Sequence, residues 1–219
     1  MKKFKIYNKK VNSKGFTLIE LMISTVVFSS ILLIATIAII YVSKTYVEGQ
    51  VVIKNQDNSQ AILMNLANAI KFDDNSNNNI VLPQLNSSTN NYYFCIGSYE
   101  YIYSLNQLFT SNNQVAGLLQ LTNSLSPNCV YPTSINIGSS RQLLSQNERV
   151  GQLAISQNNN IYDISLTIGY GNNSVLQTLN TASDPAPPYK YRCVISAFSV
   201  SLCAVSSLST TVTSRIGNI

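Results

Sequence analysis

A long apolar run followed by an amphipathic stretch dominates the first third of the chain. In residues 16–43 the only side chain charged at neutral pH is Glu20. About twenty apolar residues in a helix reach about 30 Å, the thickness of a membrane core. In residues 44–72 apolar side chains recur every three or four positions, a spacing typical of a helix with one buried face. We therefore predict one helix over 16–72, with a membrane-spanning half (16–43) and an amphipathic half (44–72) that lies against a globular domain.

The amphipathic half divides its side chains between two faces. The predicted buried face contains Ile62, Leu63, Leu66, Ala67, Ala69 and Ile70. The predicted solvent face contains Asn58, Gln60, Asn65 and Asn68. Residues 16–72 contain no proline and a single glycine, Gly49, so helix breakers do not interrupt the pattern.

Residues 73–219 have the pattern of a β-rich domain. Tyr99, Tyr101 and Tyr103 alternate, which predicts a strand with the three rings on one face, lining a sheet or shielding the helix. The Asn-rich segment 73–91 predicts a loop. Together with the helix, this pattern indicates an α+β fold in which a long N-terminal helix packs on an antiparallel β-sheet.

Later segments are assigned from the same signals of alternation and turn residues. They are a short helix or buried loop at 114–125, a hairpin with strands 152–156 and 161–169 and a turn at 157–160, a turn at 184–188, strands at 189–195 and 201–205, and a closing strand or short helix at 206–219. In the hairpin, Ile164, Leu166 and Ile168 alternate with polar residues, so one face of that strand should be buried.

A basic segment precedes the apolar run. It contains six lysines and no acid: Lys2, Lys3, Lys5, Lys9, Lys10 and Lys14. The positive-inside rule keeps these lysines in the cytoplasm and places everything after the span outside, as a single-pass protein of the cytoplasmic (inner) membrane. A secretory signal peptide has its small cleavage-site residue after the apolar region, whereas here the small residue, Gly15, comes before it. A cut after Gly15 would remove a leader, residues 1–15, and keep the hydrophobic helix.

The stretch Gly15-Phe16-Thr17-Leu18-Ile19-Glu20 resembles the processing site of type IV prepilins and of the related pseudopilins of type II secretion and competence systems. The resemblance implies that a membrane prepilin peptidase cleaves between Gly15 and Phe16 and methylates the new amine of Phe16. It also implies that the mature subunit assembles with other pilins into a filament, and so reaches the pilus outside the cell. The expected function is that of a structural subunit.

Within this family the architecture is similar to that of PilW-like minor pilins. Many type IV pilins carry a proline partway along the apolar helix, and this chain has none there, which favours a minor pilin or pseudopilin over a major pilin. The alternatives to a minor pilin with a structural role are a pseudopilin of a secretion or competence system and a tip minor pilin that acts as an adhesin or binds DNA.

Glu20 is an acid within the predicted membrane span. A carboxylate there is expensive, by an amount that is contested, so it is expected to have a partner and a function. After cleavage the nearest candidate positive charge is the amine of Phe16, in the same subunit or a neighbouring one. Such a pair would fix the axial register between otherwise uniform apolar helices. The alternative is that Glu20 lies at the cytoplasmic interface of a simple anchor, in contact with water.

The formal net charge of +5 belongs to the leader. Without the six leader lysines, the chain has eight basic and nine acidic residues, and all of the acidic residues follow Gly15. No Lys or Arg lies between Lys71 and Arg141, so the tyrosine strand lacks the cations that an aromatic platform for nucleic acid needs. We expect no contact with nucleic acid, and the basicity reports membrane topology instead.

The four cysteines, Cys95, Cys129, Cys193 and Cys203, all lie in the part predicted to be exported, which favours disulfides. Four cysteines allow three pairings; the spacing suits a bridge from Cys193 to Cys203 across the last hairpin, which leaves Cys95 with Cys129. A metal site is not expected, because the chain has no histidine and no C-x-x-C spacing.

Catalysis is not expected either. Without histidine, the common Ser/His and Cys/His nucleophile arrangements cannot form. The chain also has no glycine-rich phosphate loop. We therefore expect no cofactor, and regard the chain as a substrate of the prepilin peptidase and not as an enzyme.

Overall fold

The computed structural model describes residues 15–72, 80–110, 116–122, 129–132, 134–135, 137–179, 189–194 and 202–214. Leader residues 1–14, residues 73–79 of the predicted Asn-rich loop and the predicted turn at 184–188 lie outside the described residues.

A single α-helix, α1, extends from Leu18 to Lys71 and contains both the apolar and the amphipathic pattern. By its internal contacts the chain divides into one unit that ends at Thr45 and a second that begins at Tyr46. In the described part of the first unit the large apolar side chains are at least half exposed, from 51% at Leu32 to 77% at Leu18. This part of α1 includes an 18-residue window with a mean hydropathy of 2.5, none of it buried. It is therefore long and apolar enough to cross a membrane.

The second unit contains the rest of α1 and, among the described residues, ten strands in three antiparallel sheets. The strands are β1 Ile80–Asn86, β2 Asn91–Ile96, β3 Tyr99–Tyr103, β4 Leu118–Thr122, β5 Ser140–Gln142, β6 Glu148–Asn158, β7 Ile161–Tyr170, β8 Leu176–Thr178, β9 Tyr191–Cys193 and β10 Ala204–Thr213. The five-stranded sheet has the order β1-β2-β3-β4-β5, the three-stranded sheet has the order β10-β7-β6, and β8 pairs with β9. A 3₁₀ turn, Ile137–Ser139, precedes β5.

The apolar stripe of α1 is buried in a core that it shares with the two larger sheets. Its fully buried members are Ile62, Leu63, Leu66 and Ile70. They form one core with Phe94, Tyr101 and Tyr103 of the five-stranded sheet and with Leu153, Ile164, Leu166 and Ile168 of the three-stranded sheet. Burial of each such aliphatic side chain contributes about 1.5–3 kcal/mol. The α+β prediction is confirmed, with the expected sheet divided into three.

Two asparagines assigned to the solvent face of α1 instead contact the β-strands. The side-chain amide of Asn58 donates to Glu148 Oε2, and Asn65 Oδ1 accepts from the hydroxyl of Tyr101 at 3.3 Å. Asn55 and Ser59 are buried as well. The assignment was wrong for Asn58 and Asn65 because amides at the margin of the stripe hydrogen-bond polar groups of the strands, and hydropathy alone does not register this.

The tyrosine strand is confirmed as β3. Tyr101 and Tyr103 are fully buried, and the ring of Phe94 stacks on that of Tyr101 with 4.8 Å between centroids. These rings shield the helix as predicted, whereas Tyr99 remains 41% exposed. The burial of two of the three rings excludes an exposed aromatic platform along this strand.

The predicted loop over 73–91 is wrong for β1. Pro83 lies within this strand, and the pairing of β1 with β2 shifts register between Val81 and Gln84. A proline cannot donate to a ladder hydrogen bond, so it is tolerated in a strand mainly at a sheet edge or a bulge. β1 is an edge strand, which is the physical reason that a proline did not prevent its formation.

The segment 114–125, predicted as a short helix or a buried loop, contains β4. This strand pairs with β3 on one side and with β5 on the other. Its apolar residues Leu118 and Leu119 are both buried, so the segment has no alternation to reveal a strand. Neither predicted alternative was correct for Leu118–Thr122.

The predicted hairpin is confirmed as β6 and β7, with longer strands and a turn limited to 159–160. Ile164, Leu166 and Ile168 are buried as expected. The closing strand is also confirmed, because β10 pairs with β7 without a break in register. The predicted strand at 201–205 forms the beginning of that same strand.

The β8–β9 ribbon packs on two glycines of the three-stranded sheet. A Cβ added to Gly151 would overlap the ring of Tyr191, and one added to Gly169 would lie 3.0 Å from the same ring. The hydroxyl of Tyr191 donates to Asn106 Oδ1 at 3.2 Å. Because glycine has no side chain, these two positions allow the close approach of the Tyr191 ring.

The four cysteines form two disulfides. Cys95 pairs with Cys129, and Cys193 pairs with Cys203. The spacing suggested that the second bridge crosses a hairpin, but in the described strands β9 pairs with β8, while Cys203 precedes β10, which pairs with β7. The bridge therefore ties the ribbon to the three-stranded sheet.

Removing either disulfide is expected to destabilise the second unit. The bridged residues are 34 and 10 positions apart, so the chain-entropy model gives about 4 kcal/mol for Cys95–Cys129 and about 3 kcal/mol for Cys193–Cys203. Urea unfolding of the purified chain in detergent, followed by tyrosine fluorescence, would measure the loss in each paired Cys→Ser variant. Unchanged unfolding in both variants would contradict the two bridges.

Glu148 is the first residue of β6 and contacts α1 through Asn58. It is a buried acid, with 1% of its surface exposed. Its Oε2 accepts from Asn58 and from the Ser145 N–H at 2.7 Å, and its Oε1 has no partner among the described residues. Burial raises the pKa of Glu148, although the Ser145 N–H, the Asn58 amide and the Lys54 charge act in the opposite direction. The folded protein therefore holds this proton more tightly than the unfolded chain does.

Glu148→Gln is expected to change how stability depends on pH. A raised pKa stabilises the fold at low pH, and this contribution is lost as the pH rises through the folded-state value. The melting temperature of Glu148→Gln relative to the native chain should thus be higher near neutral pH than at about pH 4. Asp57→Asn, an exposed change on the same helix, is the control. An equal difference at both pH values would contradict the prediction.

Candidate functional site

The predicted cleavage point lies in three residues that precede α1. Residues 15–17 are exposed and adopt no regular secondary structure. A Cβ added to Gly15 would have no atom within 4 Å, and the φ angle of Gly15 is outside the left-handed region. Neither space nor backbone conformation in this chain requires a glycine here. A requirement for glycine at this position would therefore come from a partner that reads the sequence.

Thr17 and Glu20 form a capping box at the start of α1. The Thr17 N–H donates to Glu20 Oε2 at 2.9 Å, and the Glu20 N–H donates to Thr17 Oγ1 at 3.3 Å. The Thr17 hydroxyl also donates to Oε2, at 2.8 Å. These bonds satisfy backbone donors that a helix start leaves without partners, and they explain why the helix begins at Leu18.

Thr17 is a site residue that the sequence reasoning missed. The Thr-x-x-Glu signature before an apolar run is present in the sequence, but Glu20 was considered only as a partner of the Phe16 amine or as an acid in contact with water. In the uncleaved chain Phe16 has a peptide nitrogen, and Glu20 is bonded to Thr17. Among the described residues no donor reaches Glu20 Oε1, so one carboxylate oxygen is available to a further partner.

Five hydroxyl groups of the apolar segment are satisfied within the helix. Five side chains donate to carbonyl oxygens three or four residues earlier, at 2.6–2.8 Å: Ser24, Thr25, Ser29, Ser30 and Thr36. Hydrocarbon offers no hydrogen-bond partners, so polar groups inside it must be satisfied by the protein. These five hydroxyls therefore do not prevent insertion of this segment into a membrane.

Residues 10–36 match the family model for the prokaryotic N-terminal methylation motif. This segment is prepilin-like. The match includes Gly15, Phe16, Thr17 and Glu20, and it extends into the apolar part of α1. No curated protein and no solved structure matches the chain. The family likeness therefore rests on the prepilin-like segment, and the α+β architecture with its two disulfides is pilin-like.

The two buried acids of the described residues lie outside the segment that matches the methylation motif. Glu100 and Glu148 are each buried in the second unit, on β3 and β6. Within the described part of the chain, no group of three Cys, Asp or Glu side chains has the geometry to hold a metal ion. The cysteine side chains are all bonded in disulfides.

Proposed function

We propose that this chain is a structural subunit of a type IV pilus or a related filament, with the role of a minor pilin. A membrane prepilin peptidase would cut between Gly15 and Phe16 and methylate the amine of Phe16. The observation that carries the proposal is the methylation motif at residues 10–36, which places an exposed, non-helical Gly15–Phe16 bond directly before an apolar helix.

The exposure of the apolar half of α1 supports the proposal that this half lies first in a membrane and later in a filament. Side chains such as Leu32 and Leu18 are more than half exposed, which is unfavourable in water. In the precursor a bilayer would cover them, with the lysine leader on the cytoplasmic side. After assembly the same side chains would pack against the helices of other pilins, so one surface would serve for anchoring and then for polymerisation.

Glu20 would provide the polar contact in that apolar interface. Its Oε2 caps the helix through Thr17, and its Oε1 would accept from the methylated amine of Phe16, in the same subunit or in a neighbour. A charge pair in a low-dielectric surrounding is favoured over an unpaired acid, so it would select one axial register. The cut leaves Thr17 in place, so capping and charge pairing are compatible.

Absence of a proline in residues 16–72 favours a minor pilin or a pseudopilin over a major pilin. Kinks in helices arise mostly at prolines, and this helix is continuous from Leu18 to Lys71. A PilW-like minor pilin is the form we propose. A pseudopilin of a secretion or competence system is the second candidate, since the same observations accommodate it.

N-terminal mass analysis of the protein from its native cell tests the proposal. The expected chain begins at Phe16 and carries one methyl group on its amine. A chain that begins at Met1 with its six leader lysines would contradict processing and leave a simple membrane anchor. Recovery of the processed chain in sheared filaments, compared with the membrane fraction, then tests assembly separately from cleavage.

A further inference from the structure

A polar cleft of about 500 Å³ lies in the second unit, between the C-terminal end of α1 and strands β3, β4 and β5. Its size is within the range of small-molecule sites. The side chains relevant to ligand chemistry are Asn65 and Asn68 of α1, Tyr99 of β3, Gln120 and Thr122 of β4, and Arg141 of β5. The cleft thus combines amides, hydroxyls, an aromatic ring and one cation.

The amides at the base of the cleft are held by a buried hydroxyl. Tyr101 OH donates to Asn65 Oδ1 at 3.3 Å and accepts from Gln120 Nε2 at 3.2 Å. Gln120 is only 9% exposed, and Tyr101 is fully buried. The Gln120 Oε1 and Asn65 Nδ2 atoms have no hydrogen-bond partner among the described residues and are not enclosed. A fixed acceptor and a fixed donor are therefore available to a ligand.

The sheet register places the other groups beside this base. Arg141 is directly across from Gln120, and Thr122 is directly across from Tyr99. In the described part of the chain Arg141 forms no ion pair with a carboxylate. Its exposed guanidinium offers a planar fork suited to a carboxylate, and the exposed ring of Tyr99 offers a flat apolar face.

We propose that this cleft binds a carboxylated saccharide. Sugar hydroxyls both donate and accept, which matches the free atoms of Asn65 and Gln120. The C–H face of a pyranose ring fits against Tyr99, and an acidic sugar places its carboxylate on Arg141. An apolar ligand would find little besides Tyr99 and Ala69. A nucleic acid would meet one cation, too few for a phosphate backbone.

The inference does not depend on filament assembly, because all of these residues lie in the second unit. It is tested on the purified full-length chain, held in a detergent without a sugar headgroup so that the micelle does not compete. Isothermal titration with 3′-sialyllactose and digalacturonate is compared with lactose and digalactose, their neutral counterparts. Measurable binding is expected for an acidic probe, with at least about tenfold weaker binding of its neutral counterpart.

Two substitutions locate the binding. Arg141→Gln is expected to lower the affinity for the acidic probe about tenfold and to leave the affinity for the neutral probe nearly unchanged, because it removes only the carboxylate contact. Tyr99→Ala is expected to lower the affinity for both probes. Arg192→Gln, the same change at an exposed arginine of β9, is the matched control and should have no effect. Both cleft residues are exposed, so the variants should retain the native melting temperature.

Three outcomes would overturn the proposal. One is the absence of binding by both acidic probes up to about 10 mM, the weak limit for a specific small-ligand site. Another is equal binding of acidic and neutral probes. The third is a loss of affinity for the acidic probe in Arg192→Gln as large as that in Arg141→Gln, which would show that net charge and not the cleft attracts the probe.

Discussion

Replacing Gly15 by leucine is expected to leave the precursor uncut, with all six leader lysines attached. Within this chain a side chain at position 15 meets nothing, and the backbone there is accessible to any residue. The isolated chain should therefore tolerate a leucine at this position without a change in stability. A peptidase that reads glycine beside the scissile bond would not accept the bulk, whereas Gly15→Ala should be cut in part.

Gly49→Leu is the matched control for this experiment. A Cβ added to Gly49 also meets nothing within 4 Å, but Gly49 lies inside α1, far along the chain from the cut. This variant should be processed like the native chain. The measurement is the ratio of precursor to mature protein, by mass spectrometry of membranes. Complete cleavage of Gly15→Leu would mean that the bond is not recognised through this glycine, and would contradict the proposed processing.

Glu20→Val is expected to be cleaved and to accumulate in the membrane while failing to enter filaments. The substitution removes the one acid of residues 16–43 and makes the span more apolar, so insertion should be unaffected or improved. Assembly would fail at the step where the helices pack against one another, because the proposed charge pair with the Phe16 amine could not form. The measurement is the fraction of the protein in sheared filaments, relative to the membrane.

Two further variants separate the charge of Glu20 from its capping role. Glu20→Gln retains an oxygen that accepts from the Thr17 N–H, since glutamine also completes a capping box, but it has no charge. Thr17→Ala keeps the charge and removes the cap. If charge sets the register, Glu20→Gln fails like Glu20→Val, and Thr17→Ala assembles. Normal incorporation of Glu20→Val would remove the proposed register role.

The capping box illustrates how one residue carries two interpretations. From the sequence, Glu20 was an acid in need of a positive partner, and the structure gives it a partner three residues earlier. The cap alone explains the presence of Glu20 at the start of a helix, and the methylation motif at residues 10–36 adds the family context. The variants above are designed to distinguish these two explanations by their effects on assembly.

The strand assignments show where local patterns stop being informative. Alternate tyrosines identified β3, and the alternation of apolar and polar residues identified the β6–β7 hairpin. It failed for β4, whose leucines are consecutive and both buried, and for β1, where proline and asparagine resembled a loop. In both cases the strand exists because neighbouring strands supply its hydrogen bonds, and the pairing of those strands is not written in either segment.

The cleft beside Arg141 was likewise beyond the reach of the sequence. Its residues come from α1, β3, β4 and β5, and they meet only through the pairing of these strands. The sequence did identify Tyr99, Tyr101 and Tyr103 as one face. The end of the helix then decided which of them is covered, because Tyr101 contacts Asn65 whereas Tyr99 remains exposed.

By itself the sequence determined the long helix, its division into an apolar and an amphipathic half, the prepilin-like methylation motif and the α+β class. All of these follow from residues that are close together in the chain, where periodicity, charge and capping act locally. Only the tertiary structure decided the three sheets, the contacts of Asn58 and Asn65 with the strands, the burial of Glu148, and the polar cleft. The reason is that burial and hydrogen bonding between distant segments depend on where the folded chain places them, and no local pattern records that.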